Sequence, residues 1–246
     1  MDFIKSLFKN KWFLAALFFA IYSALINWRF SAVLMVSIAF HESGHLWAAR
    51  RYKMRTGGFY FIPFMGGVAT ILEDYKTFAQ QAYIAIMGPI WGLFLAFIAL
   101  ASGIVFHSSF LTTTATMMAM FNLFNLLPVT FLDGGQTLKT VVLSINKKYG
   151  FKIINGVTII TSLLFFYKLK AVLVLIAAYL SIRQTNTEEE NYLNDGNSSL
   201  PSSLTKKQMS YTIGSYLLTL GLLLTVFSFS LTMTHLFTGK YTIFIN

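Results

Sequence analysis

Hydrophobic residues form long runs along most of this chain, and short polar or basic segments separate the runs. The first run extends from Trp12 to about Ile26, and the second begins directly after Arg29. Further runs cover residues 80–107, 110–127, 153–182 and 211–236. Apolar runs of about 18 residues or more are typical of transmembrane helices. The pattern therefore predicts an all-α polytopic membrane protein with about six or seven transmembrane helices.

Residues 57–72 (GGFYFIPFMGGVATIL) are apolar but too rich in Gly and Pro for a helix. Two strand-like halves flank Met65, Gly66 and Gly67, so we predict a short membrane-associated β-hairpin after the second helix. Backbone groups left unpaired in such a hairpin cannot face lipid and need protein cover, a cavity or an extended partner chain. An interfacial loop is the alternative that the sequence leaves open.

The C-terminal part of the chain sets the predicted domain boundaries. The run 153–182 is interrupted by Lys168 and Lys170, so it forms either one long helix or a hairpin of two. We favour the hairpin because it returns Arg183 to the cytoplasm. The polar residues that follow suit a solvated or disordered linker. We therefore predict a core at 1–182, a polar linker at 183–210, and an additional transmembrane helix with a C-terminal tail at 211–246.

Composition supports a membrane protein and excludes an ordinary soluble one, because 56% of the residues are hydrophobic and only 11% are charged. The net charge of +10 does not indicate a nucleic-acid partner, since the basic residues are scattered between apolar runs. By the positive-inside rule, the N-terminus, residues 50–55 and the basic loop 147–152 face the cytoplasm. Cysteine is absent, so a metal site has to use His, Asp and Glu.

An H-E-x-x-H sequence lies in the second run, at residues 41–45. Histidines four residues apart share one helix face, so His41 and His45 can reach one zinc ion with Glu42 beside it. Glu42 is the one fully charged residue between Phe30 and Ala49, and a carboxylate there costs roughly 2.5 kcal/mol or more without a partner. It precedes the basic residues at 50–55 by about 12 Å of helix, which predicts a site nearer the cytoplasmic face.

A second isolated acidic residue, Asp133, follows the fourth run. It is the one Asp, Glu, Lys or Arg between Lys76 and Lys139, in the stretch NLLPVTFLDGG that begins at Asn125. Asp-Gly-Gly is also ordinary turn chemistry at a helix end. Because the fourth helix descends towards the cytoplasm, Asp133 is predicted on the same side of the membrane as the two histidines.

These two motifs together resemble those of the site-2 protease family, the intramembrane zinc metalloproteases with H-E-x-x-H in the second transmembrane helix and N-x-x-P…L-D-G after the fourth. The resemblance covers about residues 10–182 and extends to the hairpin and to Gly88-Pro89 in the third helix. It implies one Zn²⁺ per chain, held by His41, His45 and Asp133, with Glu42 as the general base and Asn125 as a polar residue beside the site.

The chain departs from the family pattern at two positions. Family members often have Asn three residues after the Gly-Pro, where this chain has Gly92. They often have a second Pro just before the Leu-Asp, where this chain has Phe131. Neither position is a ligand, so the departures concern substrate contacts more than metal binding.

The resemblance implies cleavage of a peptide bond within or near a transmembrane segment of a membrane-bound precursor, in regulated intramembrane proteolysis. A substrate helix has to open first, and the hairpin, with Gly66 and Gly67, would hold the opened strand by edge pairing. The implied partners are a membrane-embedded protein substrate, the lipid bilayer and a membrane regulator, with no nucleic acid. We expect an integral, multi-pass protein of a bacterial cell membrane.

Alternatives come from three other classes of protein. Membrane proteases that trim prenylated proteins also use H-E-x-x-H, but their third ligand is a glutamate, and Glu188–Glu190 lie in the predicted linker. A metal-ion transporter could line its path with His41 and Asp133, although further polar groups would then be expected along it. A non-catalytic scaffold is disfavoured by the complete motif.

Overall fold

The structure, a computed structural model, describes residues 10–64, 66–169, 172–195 and 200–239. The described chain is mostly helical, with one antiparallel two-stranded sheet. Its helices are α1 Lys11–Leu25, α2 Trp28–Arg51, α3 Phe78–Val105, α4 Ser109–Asn125, α5 Asp133–Ile145, α6 Lys147–Leu169, α7 Val172–Asp195 and α8 Lys206–Thr238, and its strands are β1 Thr56–Ile62 and β2 Gly66–Ile71. The predicted C-terminal tail at 240–246, the N-terminal residues 1–9, Met65 and Lys170 lie outside the described residues.

Three helices of the described chain are long and apolar enough to cross a membrane. They are α3, residues 147–168 of α6, and α8, while α1 is a shorter apolar helix. The prediction of a helical protein with a small hairpin is confirmed, and the apolar helices suggest a membrane protein. Six or seven spans stay a prediction.

Packing divides the described chain into two units. The first comprises the described residues up to Glu73, Met87–Leu123, and those from Gly221 onwards, and the second comprises Asp74–Ile86 and Phe124–Leu220. Each unit has its own hydrophobic cluster. The H-E-x-x-H helix belongs to the first unit, and Asp133 belongs to the second.

In the first unit, asparagine side chains begin both N-terminal helices. Asn10 Oδ1 accepts a hydrogen bond from the backbone N–H of Trp12 at 3.0 Å, and Asn27 Oδ1 accepts one from Phe30 at 2.8 Å. Each bond satisfies an N–H that has no partner within its own helix. The second of these helices, α2, therefore begins at Trp28.

The predicted β-hairpin is present, and its pairing places the turn earlier than expected. Gly66 and Gly67 pair with Ile62 and Phe61, so both glycines belong to β2. β1 ends at Ile62 and β2 begins at Gly66, and Phe64 between the two strands has φ 66°. Proline has no N–H to donate to a strand ladder, which accounts for the end of β1 before Pro63.

The hairpin packs on α1 and α2 through a cluster built on Phe18, Ile38 and Phe61. The rings of Phe18 and Phe61 lie 5.4 Å apart, and the ring of Phe18 lies 4.5 Å from that of Tyr22. Fully burying one such apolar side chain contributes about 1.5–3 kcal/mol. The cluster therefore holds β1 against the buried face of α2, which carries the motif histidines.

Hydroxyl pairs join α4 to α8 within the first unit. Thr234 Oγ1 donates to Thr112 Oγ1 at 2.8 Å, and the hydroxyls of Thr116 and Ser230 lie 2.8 Å apart. All four side chains are buried. Polar bonds of this kind fix which helices become neighbours in apolar surroundings. The helix expected as an addition to the core thus packs on α4.

The second unit is built around a cluster of apolar side chains from α3, α5, α6 and the segment before α8, namely Phe78, Val141, Leu143, Phe151, Ile154 and Leu204. The described residues of the run 153–182 belong to two helices, α6 and α7, in agreement with the favoured pair of helices. Lys147 and Lys148, expected in a loop, instead begin α6, because Asn146 Oδ1 accepts the N–H of Tyr149 at 3.1 Å and starts the helix there.

Residues 183–195, expected as a solvated or disordered linker, are helical and continue α7. Three polar side chains of α7 have partners within the unit. Ser181 Oγ accepts the backbone N–H of Phe131 at 2.9 Å. Four and seven residues further on, Thr185 and Glu188 lie on the same helix face. Thr185 and Glu188 bond within the unit, whereas Arg183, Asn186 and Thr187 are exposed. The domain boundaries stay a prediction.

Glu188 is held by a partly buried ion pair. Lys139 Nζ, on α5, lies 3.0 Å from both carboxylate oxygens, and only 6% of the Lys139 side chain is exposed. Glu188 also accepts from the side chain of Gln184 at 3.1 Å. Glu188–Glu190 lie on helix α7, so their predicted place in a polar linker is wrong and does not exclude them as ligands.

Candidate metal centre

The H-E-x-x-H residues lie on the buried face of α2. His41, Glu42 and His45 are exposed by 2%, 5% and 7%, and one ligand atom from each lies within 4.8 Å of the other two. Helical spacing brings the histidines together, because residues four apart are one turn apart on the same face. The sequence-predicted arrangement of these three residues is present in the first unit.

The distance between the Nε2 atoms of His41 and His45 suits two ligands of one zinc ion. His41 Nε2 and His45 Nε2 lie 3.1 Å apart. Two nitrogens bound to one tetrahedral zinc at about 2.05 Å would lie roughly 3.3 Å apart. The rings are nearly perpendicular, at 78°, so that both edges meet at their Nε2 atoms. These residues could therefore hold zinc through Nε2.

Gly88 lies directly against the ring nitrogens of both histidines. A Cβ added at Gly88 would lie 2.9 Å from His41 Nε2 and closer still to His45 Nε2. Gly44 lies between the two histidines in sequence and lets α2 approach α3 closely. A Cβ at Gly44 would collide with the carbonyl oxygen of Met87. Glycines at such positions allow two helix backbones to approach closely.

Asn122, on α4, is a functional candidate that the sequence analysis missed. Its Oδ1 lies 2.8 Å from His41 Nδ1, and its Nδ2 donates to the carbonyl oxygen of Met118 at 2.8 Å. Phe121 packs its ring against that of His41 at 5.5 Å and 74°. The available signal was a polar residue inside an apolar run, where it is costly without a partner.

The departure at Gly92 has a structural reason. A Cβ added at Gly92 would overlap Oδ1, Cγ and Nδ2 of Asn122. The space that a side chain at position 92 would take is therefore filled by an amide from α4. Gly92 and Asn122 thus form a complementary pair beside His41.

Gly67 of β2 lies against the proposed general base. A Cβ added at Gly67 would lie 2.6 Å from Cγ and Oε1 of Glu42 and 2.6 Å from Ile38. Gly66 is needed for a different reason, because its φ of 95° is one that other residues rarely adopt. The hairpin therefore reaches Glu42, while substrate contact by either glycine stays a prediction.

Asp133 is the first residue of α5, in the second unit. A Cβ added at Gly134 would collide with the carbonyl oxygen of Leu126, and one added at Gly135 with Val129, so the Asp-Gly-Gly sequence packs tightly on its own loop. Burial raises the pKa of Tyr75 to about 12, with a smaller contribution from the Asp133 carboxylate. Tyr75 therefore keeps its proton at physiological pH. The role of Asp133 as a ligand stays a prediction.

The departure at Phe131 is also explained in the second unit. The N–H of Phe131 donates to Ser181 Oγ, and a proline at this position would have no N–H to donate. The same loop is held by Gln136, whose Nε2 donates to the carbonyl oxygen of Thr130 at 2.6 Å. Asn125 is the last residue of α4, and its role beside the site stays a prediction.

Comparison with known proteins identifies the relatives of this chain. Residues 29–109 match the sequence model of peptidase family M50. The resemblance to the site-2 protease family is confirmed. A zinc metalloprotease of Methanocaldococcus jannaschii is 29% identical over 124 residues, which are 48% of this chain. The matched stretch covers only 35% of that relative's length.

Both findings support a metalloprotease, and the His-Glu-His group fits zinc. The family match includes α2, the hairpin and all of α3, so it contains His41, Glu42 and His45. It ends before Asp133. The third ligand therefore depends on the sequence motif alone.

Gly88→Ala should lose stoichiometric zinc, because the new methyl group would occupy the space between the two Nε2 atoms. Zinc content of the purified protein measures this. Gly156→Ala is the matched control, since a Cβ there meets nothing within 4 Å and Ala favours a helix by about 1 kcal/mol over Gly. Wild-type zinc affinity in Gly88→Ala would contradict binding through these two nitrogens.

Proposed function

We propose that this protein is an intramembrane zinc metalloprotease, which cleaves a peptide bond within or near a transmembrane segment of a membrane-bound precursor. The observation that carries the proposal is the buried group of His41, Glu42 and His45 on α2, within the stretch that matches a peptidase family. Ionisable groups buried in an apolar helix need a functional or structural partner. A hydrolytic metal site supplies one for all three side chains.

The residues of the chain have distinct roles in the proposed reaction. When bound, zinc would polarise the scissile carbonyl and make water nucleophilic near neutral pH. His41 and His45 would supply two ligands through Nε2, and Asp133 would supply the third. Glu42 would take the proton of the attacking water and pass it to the leaving amine nitrogen as the C–N bond breaks. One water is consumed, and two chains are released.

The hairpin is suited to present an extended substrate to Glu42. In the described chain β1 pairs with one edge of β2, and no described strand pairs with the other edge. Strand addition of this kind holds a peptide by main-chain bonds and needs no particular side chains. Because Gly67 of β2 lies on Glu42, a strand paired there would run past the general base.

The proposed setting follows from the apolar helices and the charge pattern. The partners would be a membrane-embedded protein substrate, the lipid bilayer and a membrane regulator. The protein would be an integral, multi-pass protein of a bacterial cell membrane, with the site nearer the cytoplasmic face. Aromatic and basic side chains at helix ends support this, as in the pair of Trp47 and Arg51 at the end of α2, with 5.6 Å between guanidinium and ring.

Glu42→Gln should retain zinc and lose proteolysis, by about 10²–10⁴-fold or more, because the amide cannot accept the proton. The measurements are zinc content and the cleavage rate of a transmembrane substrate in liposomes. Glu73→Gln is the matched control, since its carboxylate binds Arg55 outside the site. Full activity of Glu42→Gln would exclude the proposed chemistry.

Asp133→Ala should lose both zinc and activity, because two imidazoles alone leave the metal short of a protein ligand. Zinc affinity of the purified variant checks this. Asp74→Ala, at an exposed carboxylate, serves as the control. If Asp133→Ala bound zinc as tightly as the wild type, the third ligand would have to be sought elsewhere.

Cleavage should depend on how easily the substrate helix opens, because attack requires an extended peptide. Replacing Gly near the cleavage point by Leu favours the helix by roughly 1 kcal/mol, and replacing Pro by about 3 kcal/mol, so the rate should fall in that order. Cleavage rates and mass-spectrometric cleavage sites of such a series test the proposal. Cleavage rates that do not change with the stability of the substrate helix, or cleavage outside the membrane segment, would indicate an ordinary membrane-anchored protease.

A further inference from the structure

Asn122 is a buried amide that neither the motif nor the predicted ligand set includes. It is 0% exposed, in the apolar helix α4, and both ends of the amide have a partner within the first unit. The oxygen meets His41, and the nitrogen meets Met118. A buried amide is tolerated only when its hydrogen bonds are made, so its placement is strongly constrained.

The bond to Met118 decides which way the amide faces. Only the NH₂ group can donate to a carbonyl oxygen, so Oδ1 has to face His41. An amide oxygen only accepts, and the neutral ring carries one N–H. The proton of His41 therefore lies on Nδ1, and Nε2 keeps a lone pair. Gly88 lies beside this nitrogen, because a Cβ added there would be 2.9 Å from His41 Nε2.

We infer that Asn122 is a positioning residue, which holds His41 in the tautomer that can bind a metal through Nε2, and that position 92 is glycine to admit this amide. The inference depends on the proposed function in taking His41 as a zinc ligand. Groups that orient a metal-binding histidine in this way change metal affinity by about 10–100-fold. Asn122 acts through His41 and is not itself a ligand.

Single substitutions separate hydrogen bonding from packing. Asn122→Leu keeps the approximate volume but removes the acceptor, and Asn122→Asp keeps an acceptor for Nδ1–H. Zinc affinity of the full chain in detergent is measured by competition with a zinc-binding dye. We expect Asn122→Leu to bind zinc about 10–100-fold more weakly and Asn122→Asp to stay close to the wild type. Thr113→Val, on the same helix, is the control, because the hydroxyl of Thr113 donates to the carbonyl oxygen of Ser109 on its own helix.

Thermal unfolding of the zinc-free variants provides a second readout. A positioning role predicts that Asn122→Leu loses zinc affinity while its zinc-free stability changes little. A packing role predicts the opposite, with lower zinc-free stability and unchanged affinity. The second result would overturn the inference, as would equal losses of affinity in Asn122→Leu and Asn122→Asp.

A double-mutant cycle tests the part played by Gly92. Gly92→Ala should weaken zinc binding in the wild type, because the methyl group displaces the Asn122 amide. In an Asn122→Ala background the amide is absent, so Gly92→Ala should have little further effect. Strong non-additivity is expected for residues that act through one contact. Additive losses of zinc affinity would show that Gly92 acts independently of Asn122. They would overturn the inference that position 92 is glycine to admit the amide.

These outcomes are distinguishable from failure of the proposed function. A wild-type chain that binds zinc but cleaves no membrane substrate would remove the protease proposal, and the affinity differences at Asn122 would still stand. If the protein cleaves its substrate but Asn122→Leu binds zinc as tightly as the wild type, the proposed function stands and the inference about Asn122 is overturned. A wild-type chain that binds no zinc would overturn both.

Discussion

Polar side chains buried among apolar ones need partners, and this requirement organises both units of the protein. An unsatisfied polar group in an apolar interior costs several kcal/mol, whereas apolar side chains pack about equally well on lipid or on protein. The placement of polar partners therefore selects which helices become neighbours. Asn122 joins α4 to His41 on α2, and Thr112 and Thr116 join α4 to α8. In the second unit Lys139 and Glu188 join α5 to α7.

Glycines, which have no side chain, are as important to the candidate site as the polar residues. The histidine nitrogens lie where a Cβ at position 88 would crowd them. Position 92 admits the amide that orients one ring, and position 67 lets a strand lie on Glu42. A glycine within a helix costs roughly 0.5–1 kcal/mol relative to alanine, so these positions trade helix stability for close approach. The metal site is thus defined jointly by α2 and by the bare surfaces around it.

The sequence predicted the features that depend on local spacing. Residues four apart on a helix placed His41 and His45 together, and two short apolar runs punctuated by Gly and Pro indicated the hairpin. The turn of that hairpin was expected around Gly66 and Gly67, because glycine is common in turns. Instead β1 ends before Pro63, and both glycines belong to β2. Asn122 was missed because its partner is 81 residues away, and nothing in local spacing says which helix an isolated asparagine will meet.

A polar stretch of chain can be a solvated linker, or it can be a helix whose polar side chains bond within the protein. The sequence indicated the first for the polar part of α7, and the structure shows the second. Ser181, Thr185 and Glu188 recur at intervals of four and three residues, as on one helix face, and their partners come from the loop and helix around Asp133. This changes the reason for preferring Asp133 over a glutamate as third ligand. Glu188 lies on a helix after all, but both of its oxygens engage a lysine that is almost fully buried. Diverting that carboxylate to a metal would leave a buried ammonium without its counter-charge, at a cost of about 3–5 kcal/mol.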